Sequence, residues 1–133
     1  MQGTLDHIVL NTADVEGLLA FYTGIVGLPA ERLAQYRRGE APFPSLRIGS
    51  DSLIDLFPPR LWQRDDTPAV PGTRLNHFCL TVSREDWEAL RQRLDSSGVK
   101  IHRGPGTAWG AHGDGTSIYF RDPEGNQVEA RYY

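Results

Sequence analysis

Cysteine is nearly absent from this chain. Cys79 is the single one among 133 residues, so no disulfide can form within it. An excess of one charge sign is also lacking. Fourteen Lys and Arg stand against 17 Asp and Glu, for a formal net charge of -3. That balance supplies no basic field for nucleic acid or an anionic membrane surface. No apolar run approaches the ~20 residues needed to span a bilayer. A charged region followed by an apolar stretch is missing at the start, where a strand-like pattern already begins at Leu5. The expectation is a cytoplasmic protein without a signal peptide, with a small-molecule partner and no nucleic acid or membrane.

What is present is ordinary globular material. Hydrophobic residues make up 39% and charged residues 23%, enough for a single domain over 1–133 with a real core. The chain repeats itself. Leu5-Asp6-His7-Ile8-Val9-Leu10 returns 70 residues later as Leu75-Asn76-His77-Phe78-Cys79-Leu80. Each copy runs into a helical pattern. In the first, Val15, Leu18, Leu19, Tyr22, Ile25 and Val26 share one face, Asp14 is the cap and Gly27 the stop. In the second, Ser83 and Asp86 form a capping-box-like pair and Val82 with Trp87 a staple. Leu90 and Leu94 continue the stripe, and Gly98 ends it.

Strand-like segments follow each helix, near 31–36, 44–49 and 53–57, then near 99–103, 115–121 and 126–131. Each half therefore reads β-α-β-β-β, with module 1 over about 4–58 and module 2 over about 73–133. The stretch of about 58–72 holds four prolines and reads as a linker. Asp122-Pro123-Glu124-Gly125-Asn126 is a turn between the last two strands. Gly104 to Gly115 reads as a glycine-rich mobile loop. It is not a phosphate loop, because no strand–loop–helix context surrounds it.

Alternation sorts the strand residues onto two faces. Ile8, Leu10, Leu46, Ile48, Ile54, Leu56, Phe78, Leu80, Val82, Ile118, Phe120 and Val128 form an apolar face for the helices. The other face carries His7, Arg47, Asp55, His77, Tyr119, Arg121 and Glu129, mixed with Leu5, Val9, Phe57 and Cys79. Ionisable residues on the floor of a curled sheet are a usual form of ligand pocket. His7 and His77 occupy matched strands, and Glu129, on the last strand of its half, faces the same way as His77 if those strands are neighbours. Two imidazoles and a carboxylate suit one divalent ion (Zn, Ni, Co, Mn or Fe), with positions left open for water and substrate. Asp55 follows His7 by 48 residues and Glu129 follows His77 by 52, so Asp55 is a possible fourth ligand. The plainer reading of Asp55 is a pairing with Arg47 or with water. Trp62, Trp109 and His112 sit in loops that line or close pockets, with surface packing the plainer reading. Cys79 reads as a small apolar filler rather than a nucleophile.

These features together resemble the vicinal oxygen chelate superfamily of glyoxalase I, extradiol dioxygenases, fosfomycin-resistance enzymes and bleomycin-binding proteins. The resemblance covers nearly the whole chain. It rests on the stretch from Leu5 to Leu10, on Ala20-Phe21-Tyr22 with Gly27-Leu28, and most specifically on Ser117-Ile118-Tyr119-Phe120-Arg121-Asp122-Pro123-Glu124-Gly125-Asn126 running on to Glu129. It implies an α+β fold of two pseudo-symmetric βαβββ modules forming a cup-shaped mixed sheet around the metal. Its ligand positions fall on His7, His77 and Glu129. Asp55 stands where glyoxalase I has a glutamate fourth ligand. Tyr119 matches a tyrosine that touches substrate in dioxygenases and fosfomycin enzymes. The resemblance further implies a homodimer, with modules closing within one chain or exchanged between two.

Three functions follow as expectations. The first is a glyoxalase-like lyase or isomerase acting on a substrate with vicinal oxygens. There the metal is a Lewis acid and Glu129 moves the proton. Arg47, Tyr119 and Arg121 contact substrate, with Phe57, Trp109 and His112 at the pocket wall. The second is an Fe(II) extradiol dioxygenase with Asp55 unligated. The third is a protein that sequesters an antibiotic or metabolite without turnover.

Overall fold

The computed structural model describes residues 5, 7–63, 75, 77–110 and 112–133, without the side chains of 109 and 110. The chain divides into two compact units, residues 1–70 and 71–133. The first unit runs β1 (His7–Asn11), α1 (Val15–Ala20), β2 (Ala30–Glu31), α2 (Leu33–Arg37), β3 (Ser45–Arg47), β4 (Leu53–Phe57) and α3 (Pro59–Trp62). The second runs β5 (Phe78–Thr81), α4 (Arg84–Ser96), β6 (Arg103–Gly110), β7 (Gly113–Arg121) and β8 (Gln127–Tyr132).

The two units share one topology. Their four-stranded sheets have the orders β1-β4-β3-β2 and β5-β8-β7-β6. In each, the first and last strands pair in parallel and the other pairs are antiparallel. A parallel pair needs a crossover, and the helix after the first strand supplies it. The expected α+β architecture of two βαβββ modules is therefore present.

The helices form where their signals stand. Asp14 Oδ1 accepts from the Gly17 amide at 3.0 Å and caps α1. The helix then widens into a π turn over Phe21–Val26. It ends where the Gly27 and Leu28 amides both donate to the Tyr22 carbonyl, with Gly27 at φ 92°. Ser83 Oγ accepts from the Asp86 amide at 3.1 Å and donates to its carboxylate at 2.9 Å, so α4 has its capping pair. Ser83→Ala removes this cap and is expected to cost about 1 kcal/mol, read as a shift of the urea midpoint with unchanged slope.

Core residues follow the apolar face. Leu10, Leu46, Ile54 and Leu56 are buried in the first unit, as are Leu80, Ile118, Phe120 and Val128 in the second. α1 lies against β4, with Val15, Leu18 and Leu19 buried. α4 lies against β8 through Trp87, Leu90 and Leu94. Trp87 is anchored as well as buried: its Nε1 donates to the Ala130 carbonyl at 2.9 Å and its ring meets Tyr132 edge-on at 5.0 Å.

Three local expectations are corrected, the first being the strand expected near 99–103, of which only Arg103 is strand. The strand expected near 31–36 stops at Glu31, and Leu33–Arg37 is helical instead. Arg32 takes φ 56° at the junction, and its guanidinium bonds Ser45 Oγ at 3.2 Å and covers the Phe43 ring. That anchor turns the chain out of the sheet, and a segment with four good helix formers, Leu33, Ala34, Gln35 and Arg37, follows.

The expected mobile loop over 104–115 is largely strand. β6 pairs with β7 from Arg103↔Tyr119 through Gly106↔Ser117 to Gly110↔Gly113, with a register shift between Arg103 and Gly106. Backbone pairing overrides the poor strand propensity of glycine, and Pro105 falls at the irregularity, where a ladder donor is not required. Gly104 has φ 90°, and a Cβ there would run into the Ser117 carbonyl and stand 3.1 Å from Ile118 Cα. Gly104→Ala is expected to cost about 2 kcal/mol in thermal unfolding. A wild-type melting temperature would show that this backbone shifts freely.

Of the expected linker, Pro58–Gln63 carries α3, and residues 64–72 lie outside the described residues. Trp62 Nε1 donates to the Thr12 carbonyl at 3.3 Å, which ties α3 back onto the first unit. No helix of the described residues is long and apolar enough to cross a membrane.

Candidate functional site

The parallel strand pair of each unit sets a polar slot at the same register. In the second unit β8 lies between β5 and β7, with Cys79 and Tyr119 both opposite Glu129. In the first unit β4 lies between β1 and β3, with Val9 and Ser45 both opposite Asp55. Val9 and Cys79 are repeat partners in the sequence. Asp55 and Glu129 are therefore equivalent positions, despite their unequal spacing from the histidines. Both carboxylates are buried, at 8% and 4% exposure. Each accepts a hydroxyl: Ser45 Oγ donates to Asp55 at 2.6 Å and Ser117 Oγ to Glu129 at 2.5 Å.

The second unit gathers the fuller set. His77, just ahead of β5, places Nε2 3.2 Å from Glu129 Oε2. Tyr119 meets the His77 ring edge-on at 5.8 Å. The Arg103 guanidinium lies over the Tyr119 ring, 4.6 Å from its centroid. Desolvation, and then the neighbouring Glu129 charge, push the Tyr119 hydroxyl above its ordinary value. It stays protonated near neutrality and can donate a hydrogen bond. The Cys79 thiol is pushed up to about 12, first by desolvation and then by Glu129. It is a poor nucleophile at neutral pH, but it is exposed on the sheet face, so it does not serve as the expected packed filler. Ser117 and Tyr119 also line an open cavity of about 160 Å³ along β6 from Arg103 to Ala108.

Arg131, which the sequence reading missed, belongs to this group. It is 3% exposed, with Nη1 3.7 Å from Glu129 Oε1. It also donates to the Ala108 carbonyl and lies over the Tyr133 ring at 4.7 Å. Alternation puts it on the Glu129 face, two residues on, and that signal was available in the sequence.

The remaining expected residues occupy other positions within their own units. His7 is exposed at the start of β1, in the first unit. Arg47 makes a two-armed pair with Glu31 at 2.7 and 3.0 Å, so Asp55 takes Ser45 as its partner rather than Arg47. Arg121 donates to the Gly125 carbonyl at 2.8 Å and fastens the β7–β8 turn. Phe57 packs on Phe43 at 4.7 Å. The His112 amide donates to the Tyr133 hydroxyl, with the two rings edge-on at 5.2 Å. Trp109 is on β6, its side chain outside the described ones. Among the described residues, no three His, Cys, Asp or Glu side chains stand together closely enough to hold a metal ion.

The His77–Glu129 pair does have the chemistry for one. Two donors on one ion, with bonds of about 2.1 Å, stand roughly 3.0–3.4 Å apart, and the observed separation is 3.2 Å. Catalytic zinc sites use three protein donors, and the described side chains bring two together here.

Known proteins resemble the chain over its full length. Virulence protein STM3117 of Salmonella typhimurium is 29% identical over 129 residues, covering 97% of this chain and 83% of that one. Its crystal structure matches with a TM-score of 0.78 at 26% identity, over 100% of this chain and 98% of that one. Glutathione transferase FosA of Serratia marcescens is 28% identical over 97% of this chain and 80% of its own length. A probable lactoylglutathione lyase of Synechocystis is 27% identical over 92% and 90%. Matching the family model over residues 4–130, the chain belongs to the Glyoxalase/Bleomycin resistance protein/Dioxygenase superfamily.

Proposed function

We propose that this protein is a divalent-metal-dependent enzyme of glyoxalase-like type, acting on a small substrate with vicinal oxygens. The observation that carries the reading is His77 Nε2 standing 3.2 Å from the buried Glu129 Oε2. His77, Glu129 and His7 are the proposed ligands, with Asp55, which holds the equivalent register position in the first unit, as the further candidate. When bound, the ion supplies Lewis acidity at a substrate oxygen. Tyr119 donates a hydrogen bond to substrate from beside the carboxylate. Glu129 is the base within reach of a substrate proton. The printed names of two relatives, a glutathione transferase and a probable lactoylglutathione lyase, support testing glutathione adducts first. The homodimer and the cytoplasmic setting expected above remain part of this reading.

The test is direct. Purified protein is stripped with chelator and titrated with Zn, Ni, Co, Mn and, without air, Fe(II), then assayed on hemithioacetals of glutathione and on catechols. One ion per chain, lost in His77→Ala, is the expected result. No stoichiometric ion in the parent chain, or unchanged binding in His77→Ala, sinks the reading. Oxygen uptake with a catechol under iron would instead assign a dioxygenase.

A further inference from the structure

Glu129 is held from the side away from His77. Its Oε1 accepts the 2.5 Å bond from Ser117 Oγ and lies 3.7 Å from Arg131 Nη1. Its Oε2 is the oxygen that faces His77 Nε2, at 3.2 Å. Ser117 and Arg131 are themselves opposite each other in the β7–β8 register, two residues from Tyr119↔Glu129 and on the same face. Both are nearly inaccessible, at 1% and 3% exposure. The serine bond has the short length of a hydroxyl donating to an ionised carboxylate.

Burying a guanidinium is unfavourable unless the fold is arranged around it. Here it is. The Ala108 carbonyl accepts from Nη2, and the Tyr133 ring lies under Cζ at 4.7 Å. Gly115 leaves the space: a Cβ there would stand 2.8 Å from Arg131 Nη2 and 2.7 Å from the Tyr132 carbonyl.

We propose that Ser117 and Arg131 are positioning residues that clamp Oε1, so that Glu129 presents Oε2 alone on the His77 side. The inference rests on the metal reading above and sharpens it. Glu129 is then a one-oxygen ligand. Outer partners of this kind orient ligands, and losing one typically weakens metal affinity about 10- to 100-fold.

The test uses the full chain and Co(II), whose visible absorption reports coordination without turnover. Ser117→Ala and Arg131→Met are each expected to lower Co(II) affinity about 10- to 100-fold and to alter the absorption band. Ser117→Thr, which keeps the hydroxyl, restores both. Crystal structures of the metal-free variants should show the Glu129 carboxylate rotated away from its parent orientation. If Arg131→Met does not fold, the two serine variants decide alone. Parental affinity, parental band and an unmoved carboxylate overturn the clamp. A parent chain that binds no Co(II) defeats the metal reading instead, and the carboxylate orientation in metal-free Ser117→Ala still decides the clamp.

Discussion

Glu129→Gln is expected to bind a divalent ion at least about a hundredfold more weakly than the parent chain, a larger loss than an outer partner causes. The substitution keeps the shape and removes the charge. It touches three contacts at once: His77 at 3.2 Å, Ser117 at 2.5 Å and Arg131 at 3.7 Å. Its second effect is on stability. Arg131 is buried and loses its carboxylate partner, which is expected to cost the metal-free protein about 2–3 kcal/mol. Isothermal titration with Zn or Co reads the first effect and urea unfolding of the stripped protein reads the second. Affinity equal to the parent removes Glu129 from the ligand set. Full stability with lost affinity would instead show that Arg131 is held well enough by Ala108 and Tyr133.

Trp87→Ala is expected to destabilise the protein by about 3–5 kcal/mol, the usual loss for a large aromatic deleted from a core. Trp87 is 1% exposed, and its Nε1 donates to the Ala130 carbonyl on β8. Ala130 is the neighbour of Glu129 on that strand. The cavity left by the indole would loosen α4 from the strand that presents the carboxylate. Urea unfolding measures the loss. Trp87→Phe should recover most of the packing and leave the Ala130 carbonyl without its indole donor, so its deficit isolates the hydrogen bond at about 1 kcal/mol. An alanine variant within 1 kcal/mol of the parent, an order-of-magnitude bound for surface changes, would mean that α4 is not part of the cooperative core.

Much of this architecture is local in origin and was legible. The return of the Leu5–Leu10 pattern at Leu75–Leu80 announced two copies of one module. Asp14, Gly27, Ser83 and Gly98 marked their helix ends, and all four act where expected. Alternation placed Leu46, Ile54, Leu56, Ile118, Phe120 and Val128 inside, and they are. The misread stretches share a cause. Glycines from Gly104 to Gly115 disfavour a strand by themselves, yet β7 offers a ladder that only a folded neighbour can offer. Residues 31–36 look strand-like until Arg32 is seized by Ser45 and Phe43 from farther along the chain.

The site divides the same way. The sequence alone determined the alternation that puts Tyr119 and Arg121, or Glu129 and Arg131, on one face of their own strand; that His77, Tyr119 and Glu129 meet took the pairing of β5, β8 and β7. The sequence also determined that Asp55 is the first-half candidate, because the halves repeat. Tertiary structure alone decided that Asp55 and Glu129 hold the same slot, since strand register is set by pairing and not by spacing. It alone showed that Arg131 is buried beside the carboxylate. Its burial needs a carbonyl from β6, a gap at Gly115 on β7 and the ring of Tyr133, three places that only folding brings together. And it alone distinguished the two oxygens of Glu129, one taken by Ser117 and one turned to His77, because that choice depends on which strands meet.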